Sequence, residues 1–208
     1  MAAAAGAGAS AVVLAKDSRI AKTRLGLDVR LTREVALQLA ASTVRAALGA
    51  TTIGQVVVVT SDPAIARDSR RVGARVVLEP RPLGLVRAAS LGRHRALEWR
   101  PRSPVVLMVA DLPRLASYDL DRVVTSQEAA CRPVFVPDRD GVGTTALLHG
   151  ADVRPGIAFG PESASRHRGL GYTELLDAPS GMREDLDTPD DLHRSGLVVA
   201  GREVLAAR

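Results

Sequence analysis

The sequence predicts an α/β protein built on a mostly parallel sheet with helices on both faces. Apolar runs of strand length alternate with helix-period segments along most of the chain. Two of the runs, Gln55–Thr60 with its four consecutive valines and Pro104–Val109, are the near-continuous apolar kind that strands buried on both faces require. The connections are short, and neither a repeat nor a linker interrupts them. A chain of 208 residues buries one good core and would be cramped as two. The expected organisation is therefore a disordered tail over residues 1–10 and a single domain over residues 11–208.

The elements follow in order. Ala11–Ala15 reads as a short buried strand, and Lys16 to about Arg30 as a polar loop. Thr32 is placed to cap a helix whose Leu37, Ala40, Val44 and Leu48 share one face, with Gly49 ending it. After the valine strand come a helix from Asp62 to about Val72 and a strand at Arg75–Leu78. A Pro80/Pro82/Gly84 loop then leads to a helix over about Leu85–Trp99. Pro104–Val109 runs directly into Asp111-Leu112-Pro113. A helix from about Ser117 to Ala130 and a strand at Val134–Val136 continue the alternation. Beyond Asp138 the texture changes to glycine loops, a strand near Thr145–Leu148 and an extended piece at Tyr172–Leu176. Thr188-Pro189-Asp190-Asp191 starts a last helix: a cap, a proline at the first position, and acids in the first turn.

Composition narrows the function classes. With 46% hydrophobic and 25% charged residues the chain is globular, not disordered. Aromatics are 2%, so platforms that stack single-stranded nucleic acid are not expected, and the arginines are scattered instead of forming a stripe. The net charge of +5 favours an anionic ligand. Of the 28 basic residues only Lys16 and Lys22 are lysines, and a compact ammonium approaches a phosphate oxygen where a planar guanidinium does not fit. Cys131 is alone, which suits a reducing compartment. The Ala/Gly start lacks the basic and apolar character of a secretion signal, and no apolar run approaches the roughly 20 residues of a membrane span. The expectation is a cytoplasmic protein that binds neither membrane nor nucleic acid.

In open α/β sheets ligands collect beyond the carboxyl ends of the strands. Three places are selected on that ground: the loop with Lys16, Lys22, Thr23 and Arg24; Asp111 at the exit of a buried strand; and Asp185-Leu186-Asp187. In an extended segment the last two acids face one way while Leu186 packs behind, and like charges held together call for a cation such as Mg²⁺. Asp138-Arg139-Asp140-Gly141-Val142-Gly143-Thr144-Thr145 is an anion-friendly loop or a plain hairpin turn. In Gly160-Pro161-Glu162-Ser163-Ala164-Ser165-Arg166-His167, Gly160 is placed as a cap and Pro161 at the first helical position. The Glu162 and Ser163 amides then form an anion seat, to which Arg166 and His167 add positive charge. His94, His149 and His193 read as structural or surface residues. No serine stands in a nucleophile-elbow context. Nucleotidyl transfer fits that absence, because a phosphate nucleophile is already ionised and needs alignment and neutralisation more than a protein base.

With these residues assembled, the sequence resembles the CofC/FbiD family of guanylyltransferases of coenzyme F-420 biosynthesis. The resemblance is carried by Ala21-Lys22-Thr23-Arg24-Leu25, Asp111-Leu112-Pro113, and Asp138-Arg139 leading to Gly141-Val142-Gly143-Thr144. Phe159-Gly160-Pro161-Glu162-Ser163-Ala164 and Asp185-Leu186-Asp187-Thr188-Pro189 complete it, all in family order. It implies a Rossmann-like nucleotidyltransferase fold and transfer from GTP to phosphoenolpyruvate, with pyrophosphate released. It also implies phosphoenolpyruvate contacts at Thr144, Gly160 and Ser163 and Mg²⁺ on Asp111, Asp185 and Asp187. Lys16, Lys22 and Arg24 are added as contacts of the nucleotide triphosphate, and a downstream transferase as the taker of the product. The open alternatives are a 2-phospholactate acceptor, a sugar phosphate or molybdopterin acceptor, a catalytically weakened paralogue, and a nucleic-acid-binding module. Gly84-Leu85-Val86 departs from the family's Gly-Leu-Asn, removing an amide that would reach the nucleotide, and Ala110 stands where glycine is usual.

Overall fold

Strands whose side chains are apolar on both faces belong in the middle of a layered molecule, and three such strands lie there. The computed structural model describes residues 8–19, 21–22, 24–126, 132–199 and 202–203. Strands β1 (Ala9–Ala15), β2 (Ile53–Thr60), β3 (Arg75–Leu78) and β4 (Val105–Val109) pair in parallel in the order β3-β2-β1-β4. Beyond β4 come β6 (Thr144–His149), β5 (Val134–Pro137) and β7 (Thr173–Glu174), completing seven strands. β6 runs antiparallel to both β4 and β5, which leaves β5 and β7 parallel to the first four strands. Chain order reverses beside β1, giving the crevice where doubly wound sheets bind ligands.

The alternation of strand side chains divides the core in two. Ala11, Val13, Val58, Met108, Val136 and Ala146 face the layer of α1 (Val29–Gly49) and α4 (Ser117–Thr125). Val12, Leu14, Val57, Leu107, Phe135 and Leu147 face α3 (Leu85–Trp99) and the segment carrying Phe159 and Tyr172. α3 comes so close to the sheet that a Cβ at Gly92 would stand 2.4 Å from Val12 Cγ1. A third, smaller cluster joins Leu25, Val35, Leu39, Leu186 and Leu192, all fully buried.

Several boundaries differ from the sequence reading. β1 begins at Ala9, so Ala9 and Ser10 belong to the sheet and not to a tail. α1 starts a turn before Thr32 because Asp28 caps it, accepting from the Leu31 amide at 2.9 Å. Leu48 lies off its buried stripe, where Ala47 takes the place. α2 (Pro63–Arg71) has Asp62 as its cap. α4 ends at Thr125, and the remainder of the expected helix, with Cys131, falls partly outside the described residues. No helix among the described residues is long and apolar enough to cross a membrane.

Candidate active site

The carboxyl edge of the sheet gathers groups from five strands. β1 delivers Lys16 and β4 delivers Asp111. Because β6 is antiparallel, its first residue, Thr144, reaches the same edge, and Met108 of β4 pairs with Ala146 two residues later. The exits of β5 and β7 add Asp138 and the chain that runs through α6 (Ser180–Arg183) to Asp185.

At the centre stands Lys22, with φ at +60°, a left-handed conformation that a long side chain adopts only when its surroundings fix it. Its ammonium donates to Asp111 Oδ2 at 2.5 Å, to Asp187 Oδ1 at 2.9 Å and to the Leu186 carbonyl. The lysine side chain is 5% exposed, against 16% for Asp111 and 54% for Asp187. The Leu186 amide in turn donates to the Asp111 carbonyl at 3.0 Å, stitching the acidic segment to the exit of β4. Leu186 is anchored in the small apolar cluster behind, as the sequence alternation implied. A capping box on Thr188 and Asp191 begins α7 (Pro189–Ser195) directly after Asp187.

The electrostatics of this cluster are unbalanced toward negative charge. Burial works against the Asp111 carboxylate, yet Lys22 and Lys16 hold it below the usual range. Burial is again the largest influence on Asp185, and here Asp111, Asp187 and Asp138 reinforce it, pushing its carboxyl up to about 7. Asp111 Oδ1 is buried with no partner among the described residues. The three acids thus come together, but not as a chelating cage. Among the described residues no group of three or more His, Cys, Asp or Glu is arranged as a ready metal site, and the Lys22 ammonium bridges Asp111 and Asp187. The Lys22 ammonium is thus a counter-ion for carboxylates at the place where a triphosphate contact was expected. Lys16 and Arg24 are exposed, and Thr23 lies outside the described residues.

Thr144, Gly160 and Ser163 group around α5 (Ser163–Gly169). That helix begins at Ser163, two residues later than the proline rule suggested, because Gly160 (φ +120°) and left-handed Glu162 (φ +54°) turn the chain first. Gly160 is exposed and Ser163 is buried. The glycine loop before it is closed by its own acid: Val142 and Gly143 amides donate to Asp138 at 2.9 and 2.7 Å, so they are not open to a ligand. The Ala164 amide donates to the Val142 carbonyl, docking α5 onto that loop.

His167 does not add the positive charge expected of it. It is fully buried among Phe135, Phe159 and Tyr172, and burial, reinforced by Arg166, lowers its pKa to about 4. Its Nε2 accepts the Ala158 amide at 3.0 Å, so in the neutral ring Nδ1 carries the proton and donates to Thr144 Oγ1 at 2.9 Å. The Thr144 hydroxyl keeps its own proton for another acceptor. The motif reading placed His167 near the site but missed this role, since nothing in one sequence reveals a ring's surroundings. His149 is buried, whereas His94 and His193 are exposed.

Comparisons with known proteins identify the family. The model of the MobA-like NTP transferase domain matches residues 11–172. The phosphoenolpyruvate guanylyltransferase of Thermomonospora curvata is 39% identical over 207 residues, covering 96% of this chain and 89% of that protein. The one from Geodermatophilus obscurus is 42% identical over 191 residues, covering 88% and 86%. A putative nucleotide-diphospho-sugar transferase from Desulfovibrio desulfuricans superposes with a TM-score of 0.60 at 17% identity over 88% of this chain and 84% of that one. A 4-diphosphocytidyl-2C-methyl-D-erythritol synthase does so with 0.58 at 15% identity, covering 90% and 97%. These last two share the Rossmann-like nucleotidyltransferase fold. The chain belongs to the MobA-like NTP transferase domain family and, within it, to the family of these phosphoenolpyruvate guanylyltransferases.

Proposed function

We propose that the protein is a guanylyltransferase that joins GTP to phosphoenolpyruvate, releases pyrophosphate, and acts in the cytoplasm in coenzyme F-420 biosynthesis. The observation that carries this reading is the meeting of Asp111, Asp187 and Lys22 at the sheet crevice, with Asp185 close enough to feel both acids. Relatives about 40% identical over most of the chain bear that activity as their name.

A phosphate oxygen of the acceptor attacks the α-phosphorus of GTP, the bond to the β-phosphate bridge oxygen breaks, and pyrophosphate leaves. The acceptor is held by the Thr144 hydroxyl, Gly160 and Ser163. His167 aims the first of these by occupying its lone pair. Lys16 and Arg24, both exposed on the first loop, meet the triphosphate, and Lys22 limits the repulsion between acids and substrate. Asp111 Oδ1, with no partner among the described residues, and the elevated Asp185 carboxyl fit a hard divalent ion. Once the Lys22 ammonium is drawn off them, Asp111, Asp185 and Asp187 would hold Mg²⁺, which when bound supplies charge neutralisation at the phosphates. The product would pass to a further transferase.

Pyrophosphate release is measured with GTP or CTP against phosphoenolpyruvate, 2-phospholactate and a sugar phosphate, with and without Mg²⁺. The reading expects release with GTP and phosphoenolpyruvate that depends on the metal. Release only with a sugar phosphate would replace it.

A further inference from the structure

Glu79 is an acid that the reaction above does not use. It follows β3 directly, and its amide extends the ladder by donating to the Thr60 carbonyl at 2.8 Å. Its side chain is 6% exposed, Oε1 is buried, and that oxygen has no partner among the described residues. Burial alone pushes its carboxyl up. The fold therefore keeps, at some cost, a carboxylate that nothing within the described protein satisfies.

That carboxylate lines a cleft of about 200 Å³ whose other walls include Leu14, Val59, Pro82, Leu83 and Leu85. The walls are mostly apolar, the setting in which a heterocycle binds and a few polar groups decide which one. The cleft shares Leu14, Ala15, Lys16 and Leu85 with the crevice that runs to Lys22 and Asp111. A nucleotide whose phosphates lie against Lys16 and the acids would place its base here.

We infer that Glu79 reads the base and selects guanine. The Watson–Crick edge of guanine presents N1–H and the 2-amino group side by side, two parallel donors that match the two oxygens of a carboxylate. Adenine and cytosine each offer a ring-nitrogen acceptor where N1–H would be, so they face Glu79 with a lone pair. Uracil offers one N–H between two carbonyls. Charge-assisted, paired hydrogen bonds are the strong kind, and a buried acid left unpaired rejects the wrong ligand strongly. Base reading by Glu79 also removes the need for the asparagine that Val86 replaces. Val86 is partly exposed at the start of α3 and does not line the cleft.

This inference rests on the nucleotide placement proposed above, and its test is separable from turnover. Binding of GDP, IDP, ADP and CDP to the full-length protein is measured by calorimetry, with Mg²⁺ and without acceptor. IDP lacks only the 2-amino group. The expectation is that the wild type binds GDP at least about tenfold more tightly than IDP and more tightly still than ADP or CDP. In Glu79→Gln, which is isosteric and removes an unpaired buried charge, the GDP:IDP ratio falls toward one while thermal stability is kept or raised. In turnover the same variant raises KM for GTP with little change in kcat, and Glu79→Asp recovers part of the loss. Equal binding of GDP and IDP by the wild type overturns the inference, as does an unchanged ratio in Glu79→Gln. A protein that discriminates GDP from IDP yet ignores phosphoenolpyruvate would leave Glu79 as the base reader and remove only the acceptor assignment.

Discussion

The Leu186 amide donates to the Asp111 carbonyl at 3.0 Å, so one backbone hydrogen bond fixes the spacing between the acid at the exit of β4 and the two acids flanking Leu186. The Lys22 ammonium then closes the arrangement from the first loop, reaching Asp111, Asp187 and the Leu186 carbonyl together. Three segments distant in sequence are tied at a point where the sheet leaves a crevice.

Removing Lys22 uncovers this dependence. The Lys22 side chain is buried and Asp111 is mostly so, and taking away one partner of such a pair leaves an uncompensated charge costing about 3 kcal/mol or more. Lys22→Met is expected to lose about that much stability in urea titrations. The double variant Lys22→Met/Asp111→Asn recovers a substantial part of it, a coupling that independent sites would not show.

Leu186 carries the acids on an apolar anchor. It is fully buried against Leu25, Val35, Leu39 and Leu192, so Leu186→Ala opens a cavity and costs about 2–5 kcal/mol. Turnover in that variant falls further than its folded fraction does, because the flanking carboxylates lose their fixed direction. Folded fraction from circular dichroism beside pyrophosphate release makes the comparison.

Asp187 is half-exposed and contributes little to the core. Asp187→Asn is expected to fold normally, within about 1 kcal/mol of the wild type, while turnover drops by a hundredfold or more. Wild-type turnover in this variant removes Asp187 from the chemistry.

Acid destabilises this protein through its histidines. His149 and His167 are buried, and the fold lowers both pKa values from 6.5 to about 4. A histidine whose folded pKa is lowered binds more protons when unfolded, so its neutral-state stability is fully present above about pH 6.5. It is lost as pH falls from there toward 4. The melting temperature should fall between pH 6 and 4, while the Asp185 carboxyl, raised to about 7 in the fold, binds more protons when folded and offsets part of that fall over the same range. Replacing His149 with Gln should flatten part of that fall.

Much of this was legible in the sequence, for identifiable reasons. The strands Arg75–Leu78 and Val105–Val109 and the helix Leu85–Trp99 stand within a residue of their expected bounds, because apolar runs and helix periodicity are local signals. Leu186 between two acids announced its own burial by alternation. What one sequence does not carry is pairing between distant side chains. Lys22 was marked as one of only two lysines, yet its pairing with a carboxylate depends on Asp111, 89 residues away. The Gly141–Gly143 loop read as an anion seat or a plain hairpin turn; it is the hairpin between β5 and β6, and Asp138's turn back onto its amides, which closes it, cannot be seen in the order of residues. The antiparallel entry of β6, which brings Thr144 to the active edge, is likewise a matter of topology.

The central claim is tested most directly by ³¹P NMR of the reaction mixture itself, followed in place with GTP, phosphoenolpyruvate and Mg²⁺. The account predicts a new pair of coupled diphosphate resonances, from guanosine α-phosphorus joined to the enol phosphate, growing in step with pyrophosphate. Pyrophosphate appearing without that pair, or GTP and phosphoenolpyruvate both persisting unchanged, would contradict it.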